Sequence, residues 1–139
     1  MKNTATITSV VLLLFSLLII GACKKERENP EDLLHKWQVI SMRRPNSSSQ
    51  QYPVGTYILR FKTASSLSFK LDVNSCEGEY AVSEPGQIKI NSMGCTEICC
   101  DSNLAQELAA VLHHVSTYTI QENILTLSGS GEIKLKGIK

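Results

Sequence analysis

Between residues 36 and 136 the chain is written in short runs where apolar and polar residues alternate, broken by a single stretch where they do not. Alternation sends every second side chain to one face of an extended strand, so such a chain buries its apolar face by curling or stacking a sheet. The predicted strands are 36–42, 56–61, 67–71, 79–82, 87–90, 118–121, 124–127 and 132–136. Residues 44–51, rich in Pro, Asn, Ser and Gln, read as a loop, and Ser83-Glu84-Pro85-Gly86 as a turn. The exception is 103–115, apolar at Leu104, Leu108, Val111, Leu112 and Val115, which is one stripe of a helix. Asn103 and Gln106 are spaced as a capping box for it. A single helical turn is expected earlier, with Asn29 as cap and Pro30 at the first position. The predicted class is α+β: a curled antiparallel β-sheet or small, partly open barrel of about eight short strands, with one amphipathic helix packed on it. There are no internal repeats, and no strand–helix alternation of the kind a parallel sheet requires.

The first residues give an address. Lys2 precedes the apolar run 10–20, which ends in Gly21-Ala22-Cys23. A charged start, a short apolar core and small residues at its exit describe a secretory signal peptide, and the run is shorter than the ~20 residues of a membrane-spanning helix. Ile20-Gly21-Ala22-Cys23 is similar to a bacterial lipobox, which implies cleavage between Ala22 and Cys23 and lipidation of Cys23. Several acyl chains on one residue anchor a protein stably. The expected organisation is a signal peptide at 1–22, a lipidated polar tether at 23–30 and one domain at 31–139. The domain would sit outside the cytoplasm in a bacterial envelope, the outer membrane being favoured over the inner.

Charge narrows the partners. The 14 basic and 13 acidic residues nearly cancel, and no Lys/Arg block exceeds a pair. A nucleic-acid partner would need a basic patch, so none is expected. The expected partners are the membrane, through the lipid on Cys23, and an envelope protein or cell-wall component.

In order along the chain, Leu34-His35-Lys36-Trp37, a strand ending in Phe61, Asn74-x-x-x-Gly78-x-Tyr80, Thr96-x-Ile98-x-Cys100, a helix with Glu107 and Leu112, Tyr118-x-Ile120 and Leu125-x-Leu127 together resemble the META domain of HslJ-like bacterial envelope lipoproteins. The resemblance spans nearly all of the chain after Cys23. It implies a compact sheet-and-helix fold, an envelope location and an association with heat or antibiotic stress, without an established reaction. The family usually places a cysteine where this chain has Val73; here the thiol is Cys76.

Four cysteines remain once Cys23 is set aside: Cys76, Cys95, Cys99 and Cys100. Structural zinc favours two separated Cys pairs, whereas Cys76 is solitary, and adjacent Cys99 and Cys100 would point to opposite sides of an extended chain. Redox catalysis favours Cys-x-x-Cys at a helix start, and that spacing is absent. Disulfides persist in exported proteins, so covalent staples are the favoured reading. Cys76 is expected to pair with Cys95 or Cys100, leaving Cys95–Cys99 or Cys99–Cys100 as a second, local bridge.

Other candidates have structural readings. Trp37 suits a core position, and His113 and His114 suit the negative end of the helix. Asp72, Glu77 and Glu79 are expected to face solvent. No phosphate loop, zinc-protease motif or dinucleotide fingerprint occurs, so no catalytic residue, metal or cofactor is expected. Two readings of function follow. One is a lipid-anchored, non-enzymatic domain that binds an envelope partner or supports envelope integrity. The other is a lipocalin-like carrier, which needs an apolar cavity inside the sheet.

Overall fold

A computed structural model describes residues 28–139. The expected signal peptide at 1–22, the cleavage pair Ala22 and Cys23, and the tether up to residue 27 lie outside the described residues. After a 3-10 turn at Pro30–Leu33 come β1 (Lys36–Arg43), β2 (Gln50–Gln51), β3 (Ile58–Phe61), β4 (Ser66–Lys70), β5 (Ser75–Glu84) and β6 (Gln87–Cys95). They are followed by α1 (Asn103–His113), β7 (Val115–Gln121), β8 (Ile124–Gly129) and β9 (Glu132–Ile138).

All strand pairs are antiparallel, in the order β1-β3-β4-β5-β6-β7-β8-β9, and β9 returns to β1. The sheet thus closes as an eight-stranded barrel with one helix. Closure runs from Lys36↔Ile138 to Arg43↔Glu132, with a bulge between Val39 and Ser41. A bulge adds the local twist and bend that a small barrel requires. The ninth strand, β2, is a ribbon on the end of β1, with Met42↔Gln51 and Arg43↔Gln50. It falls in the stretch read as loop, because Gln-Gln has no strand signature of its own and is extended only by pairing with β1. The thinnest joint is β6–β7, one register pair, Gln87↔Thr117, plus the Tyr118 amide donating to Gly86 O at 2.9 Å. Just beyond that joint, Glu28 Oε2 accepts from the Ile120 amide at 3.0 Å.

Strand alternation supplies the core. Leu59 and Phe61, Leu67 and Phe69, Leu125 and Leu127 are all buried from successive inward positions. Ala105, Leu108, Val111 and Leu112 of α1 join the same apolar cluster, so the helix closes over the barrel rather than lying apart from it. The β8–β9 turn approaches the helix end so closely that a Cβ on Gly129 would lie 1.9 Å from His114 O.

Several boundaries differ from expectation for local reasons. β5 and β6 are longer than 79–82 and 87–90, because the polar outward residues Asn91 and Ser92 and a register shift between Glu79 and Tyr80 interrupt the alternation. The helix begins one residue earlier in effect: Ser102, not Asn103, is the cap, its Oγ accepting from the Ala105 amide at 3.2 Å. Val115 continues the helical stripe in sequence, yet begins β7, since the chain turns at His114. Asn29 caps the 3-10 turn by accepting from the Glu31 amide.

Leu108 is fully buried, so Leu108→Ala is expected to cost about 2–5 kcal/mol. In urea denaturation the midpoint should fall with the slope unchanged; a loss near zero would show that α1 is not part of the core.

Candidate functional site

The ends of the strands place three connections together at the barrel end remote from Glu28: the approach to β3, the turn 71–74 between β4 and β5, and the loop 96–102 that leads into α1. Asn74 joins them. Its Nδ2 donates to Ile98 O at 2.6 Å and Asp101 Oδ2 at 2.7 Å. Its Oδ1 accepts from Thr96 Oγ1 and from the Ile98 amide, both at 2.8 Å. The residue is 7 % exposed, and every donor and acceptor position of its side-chain amide is used. Thr96 adds a second tie, its Oγ1 accepting from the Ser75 amide at 3.2 Å. Asp101 Oδ1 accepts from the Val73 and Asn74 amides at 2.8 and 3.2 Å.

A second cluster fixes the helix start. Asp72 Oδ2 accepts from the Ser102 amide at 3.0 Å and from Ser102 Oγ at 2.6 Å. Tyr57 OH lies 3.1 Å from the same Oγ. Asp72 therefore does not merely face solvent, as its sequence neighbourhood suggests; it bridges the β4–β5 turn to the helix cap. The Ser102 hydroxyl, helped by the Ser102 amide and Tyr57 and opposed by desolvation and the nearby Asp101, holds its carboxyl below the ordinary range. For Asp101 desolvation pulls upward but is outweighed by the Val73 and Asn74 bonds, so this carboxyl is also lowered. Burial raises the Tyr57 phenol. The Ser102 hydroxyl donates to the Asp72 carboxylate while its oxygen accepts from the Ala105 amide, so both sides of the group are engaged in holding the helix start.

Cys76 and Cys95 are joined in a disulfide between directly paired residues of β5 and β6. Closing a 19-residue separation, it contributes about 3 kcal/mol by constraining the unfolded chain. The second expected bridge is not formed: Cys99 and Cys100 are free and exposed. Cys95 is engaged with Cys76, which removes Cys95–Cys99. Cys100 is not in extended backbone: its φ is +93°, so the alternation that would send adjacent thiols to opposite sides does not hold there. Among the described residues, no three His, Cys, Asp or Glu side chains converge as a metal site.

The other singled-out residues are placed by packing. Trp37 is buried and its Nε1 donates to Leu33 O at 3.0 Å. Tyr80 packs edge-on against Phe61, ring centroids 4.8 Å apart, and its hydroxyl donates to Thr63 O at 2.8 Å. Gly78 has no room for a side chain, as a Cβ there would meet Ser92 O at 2.4 Å. His113 ends α1 and His114 is its C-cap. Sequence reasoning missed Asp101 and Ser102; the Asp-Ser pair directly before the helical stripe was the available signal.

An eight-stranded antiparallel barrel closed over by one helix, with its polar motif residues knotted at one end, defines a class of small β-barrel domain. The META domain family model matches residues 31–136, and the chain belongs to that family. Two solved structures share the fold. A protein from Burkholderia xenovorans, determined by NMR, is 17 % identical with a TM-score of 0.63, over 85 % of this chain and 94 % of that one. A crystal structure of a DUF4847 family protein from Bacteroides vulgatus is 13 % identical with a TM-score of 0.57, over 77 % and 94 %. No curated protein matches the chain. Among the described residues, no helix is long and apolar enough to cross a membrane.

Replacing Asn74 by Ala would strand the Ile98 amide and two oxygens in a part-buried site. A loss of about 2–3 kcal/mol is expected in urea unfolding, because unpaired groups keep their desolvation cost. Both lowered carboxylates contribute stability that is fully present above their unfolded pKa and lost as pH falls through their folded values. Thermal unfolding should therefore weaken below about pH 4, and Asp72→Asn should flatten that dependence; an unchanged profile would refute the assignment.

Proposed function

We propose that this chain is a lipid-anchored envelope protein whose META domain works by binding an envelope partner through the barrel end that carries loops 52–55, 71–74 and 96–102. The observation that carries this reading is the division of labour at that end. The motif residues Asn74 and Thr96, together with Asp101 and Ser102, are consumed by internal bonds. Exposed apolar side chains, Tyr52, Val54, Val73 and Ile98, are left beside them. Val54 is fully solvent-exposed, and it shares a cleft with Tyr57, Asp72 and Cys100. Rigidly supported loops with exposed apolar groups are the usual form of a contact surface. The first described residues, including Glu28, lie at the opposite end, so an anchor at Cys23 would present this surface away from the membrane.

The carrier reading is less favoured. Trp37, Phe61, Phe69, Tyr80 and Tyr118 belong to the one apolar cluster that occupies the barrel, together with the helix residues that close it. A resident ligand would have to displace packed side chains.

Two measurements test the proposal. Palmitate labelling of cells expressing the full chain should mark the protein and be abolished by Cys23→Ala. A photo-crosslinking residue at Val54 or Ile98 should give a discrete adduct in the envelope that one at Lys89, on the barrel wall, does not. Equal, diffuse labelling from all three positions would dismiss the surface, and an unlabelled wild type would dismiss the anchor.

A further inference from the structure

The loop between β6 and α1 sets two thiols side by side. In an extended backbone consecutive side chains diverge. Cys100 lies instead in the left-handed region, at φ +93°, which non-glycine residues seldom occupy. At that angle the opposite-facing alternation of an extended chain does not apply, and both thiols are free and exposed. The knot that holds the loop uses Thr96, Ile98 and Asp101, leaving the two thiols without a part in it. The neighbouring Cys99 side chain, and then desolvation, raises the Cys100 thiol above its ordinary range.

We propose that Cys99 and Cys100 form a redox modification site, a vicinal dithiol oxidised reversibly to a Cys99–Cys100 disulfide by exchange with a disulfide donor. The Cys99 thiol loses its proton, and its sulfur bonds to one sulfur of the donor. The other donor sulfur leaves as a thiolate and takes up a proton. The Cys100 thiolate then attacks Cys99 Sγ and displaces the remaining donor sulfur, which is protonated in turn. Two electrons and two protons pass to the donor, which departs as two thiols.

Oxidation at this position acts on its neighbours. Asp101 follows Cys100 directly and holds the Val73 and Asn74 amides, and Ser102 after it caps α1. The eight-membered ring of a vicinal disulfide constrains the Cys99–Cys100 backbone, and Asp101, the next residue, is where that constraint reaches the 71–74 turn. The site thus couples thiol oxidation to the joint between that turn and the helix, whatever partner the barrel end meets.

The test equilibrates the purified chain from Cys23 onward in buffers of increasing glutathione disulfide to glutathione ratio, followed by acid quench, alkylation and peptide mapping. The peptide carrying Cys99 and Cys100 should become lighter by two hydrogens and resist alkylation, while Cys76–Cys95 stays bonded throughout. Amide NMR signals of Asn74 and Ser102 should move with the same midpoint. In Cys99→Ser, which leaves Cys76–Cys95 intact, they should not move. Full alkylation of both thiols in the most oxidising buffer would overturn the proposal, as would stable glutathione adducts in place of the internal bridge. An internal bridge that leaves Asn74 and Ser102 signals unmoved would overturn the coupling.

Discussion

The return of β9 to β1 is the constraint on which the rest of this structure depends. Seven register pairs join the first and last strands, and they are the most non-local contacts in the sheet. Without them the strands would form an open sheet with two bare edges and an inner face partly open to water. With them, one ring of inward side chains forms a single apolar cluster, and α1 has a defined mouth to cover. The opposite joint, β6–β7, is held by one register pair. The chain leaves the sheet there, makes the helix and comes back, so the weakest part of the wall is also where the helix is tethered.

Closure also explains why the polar residues of the family motif sit together. Asn74 ends the β4–β5 turn, and Thr96 to Ser102 follow β6, so the β5–β6 hairpin brings both to the same end. The disulfide Cys76–Cys95 clamps that hairpin just below them, two residues from Asn74 and one from Thr96. Asn74 then does for the two loops what a ladder does for strands: it satisfies backbone groups that have no regular partner. The motif is therefore a structural lock. What distinguishes this end of the barrel from its walls is the combination of locked loops, exposed apolar side chains and two exposed thiols.

Legibility in the sequence followed the range of the interaction. Leu67-Ser-Phe-Lys-Leu71 and Ile124–Leu127 alternate cleanly, and both were found as strands because each residue's face is settled locally. The stripe from Leu104 to Leu112 marked α1 for the same reason. β2 could not be read, since Gln50 and Gln51 are extended only through Met42 and Arg43. The outer halves of β5 and β6 were hidden by a bulge and by polar residues on the solvent side. Among the site residues, Trp37, Asn74, Gly78, Tyr80 and Thr96 were visible as a pattern, but their roles were not, because each is defined by partners 4 to 27 positions away. Asp72 looked like a solvent carboxylate until Ser102, 30 positions on, came within hydrogen-bonding distance.

By itself, then, the sequence determined the antiparallel, strand-rich class, the single amphipathic helix and the residues of the apolar face. Those follow from periodicity and composition, which short segments carry alone. Only the tertiary structure decided that the sheet closes, that Cys76 takes Cys95, that Cys99 and Cys100 lie together, and that Asp72 and Asp101 hold the helix entrance. Each of these depends on distances between remote segments and on one left-handed backbone angle, and neither is written in the local pattern of a chain.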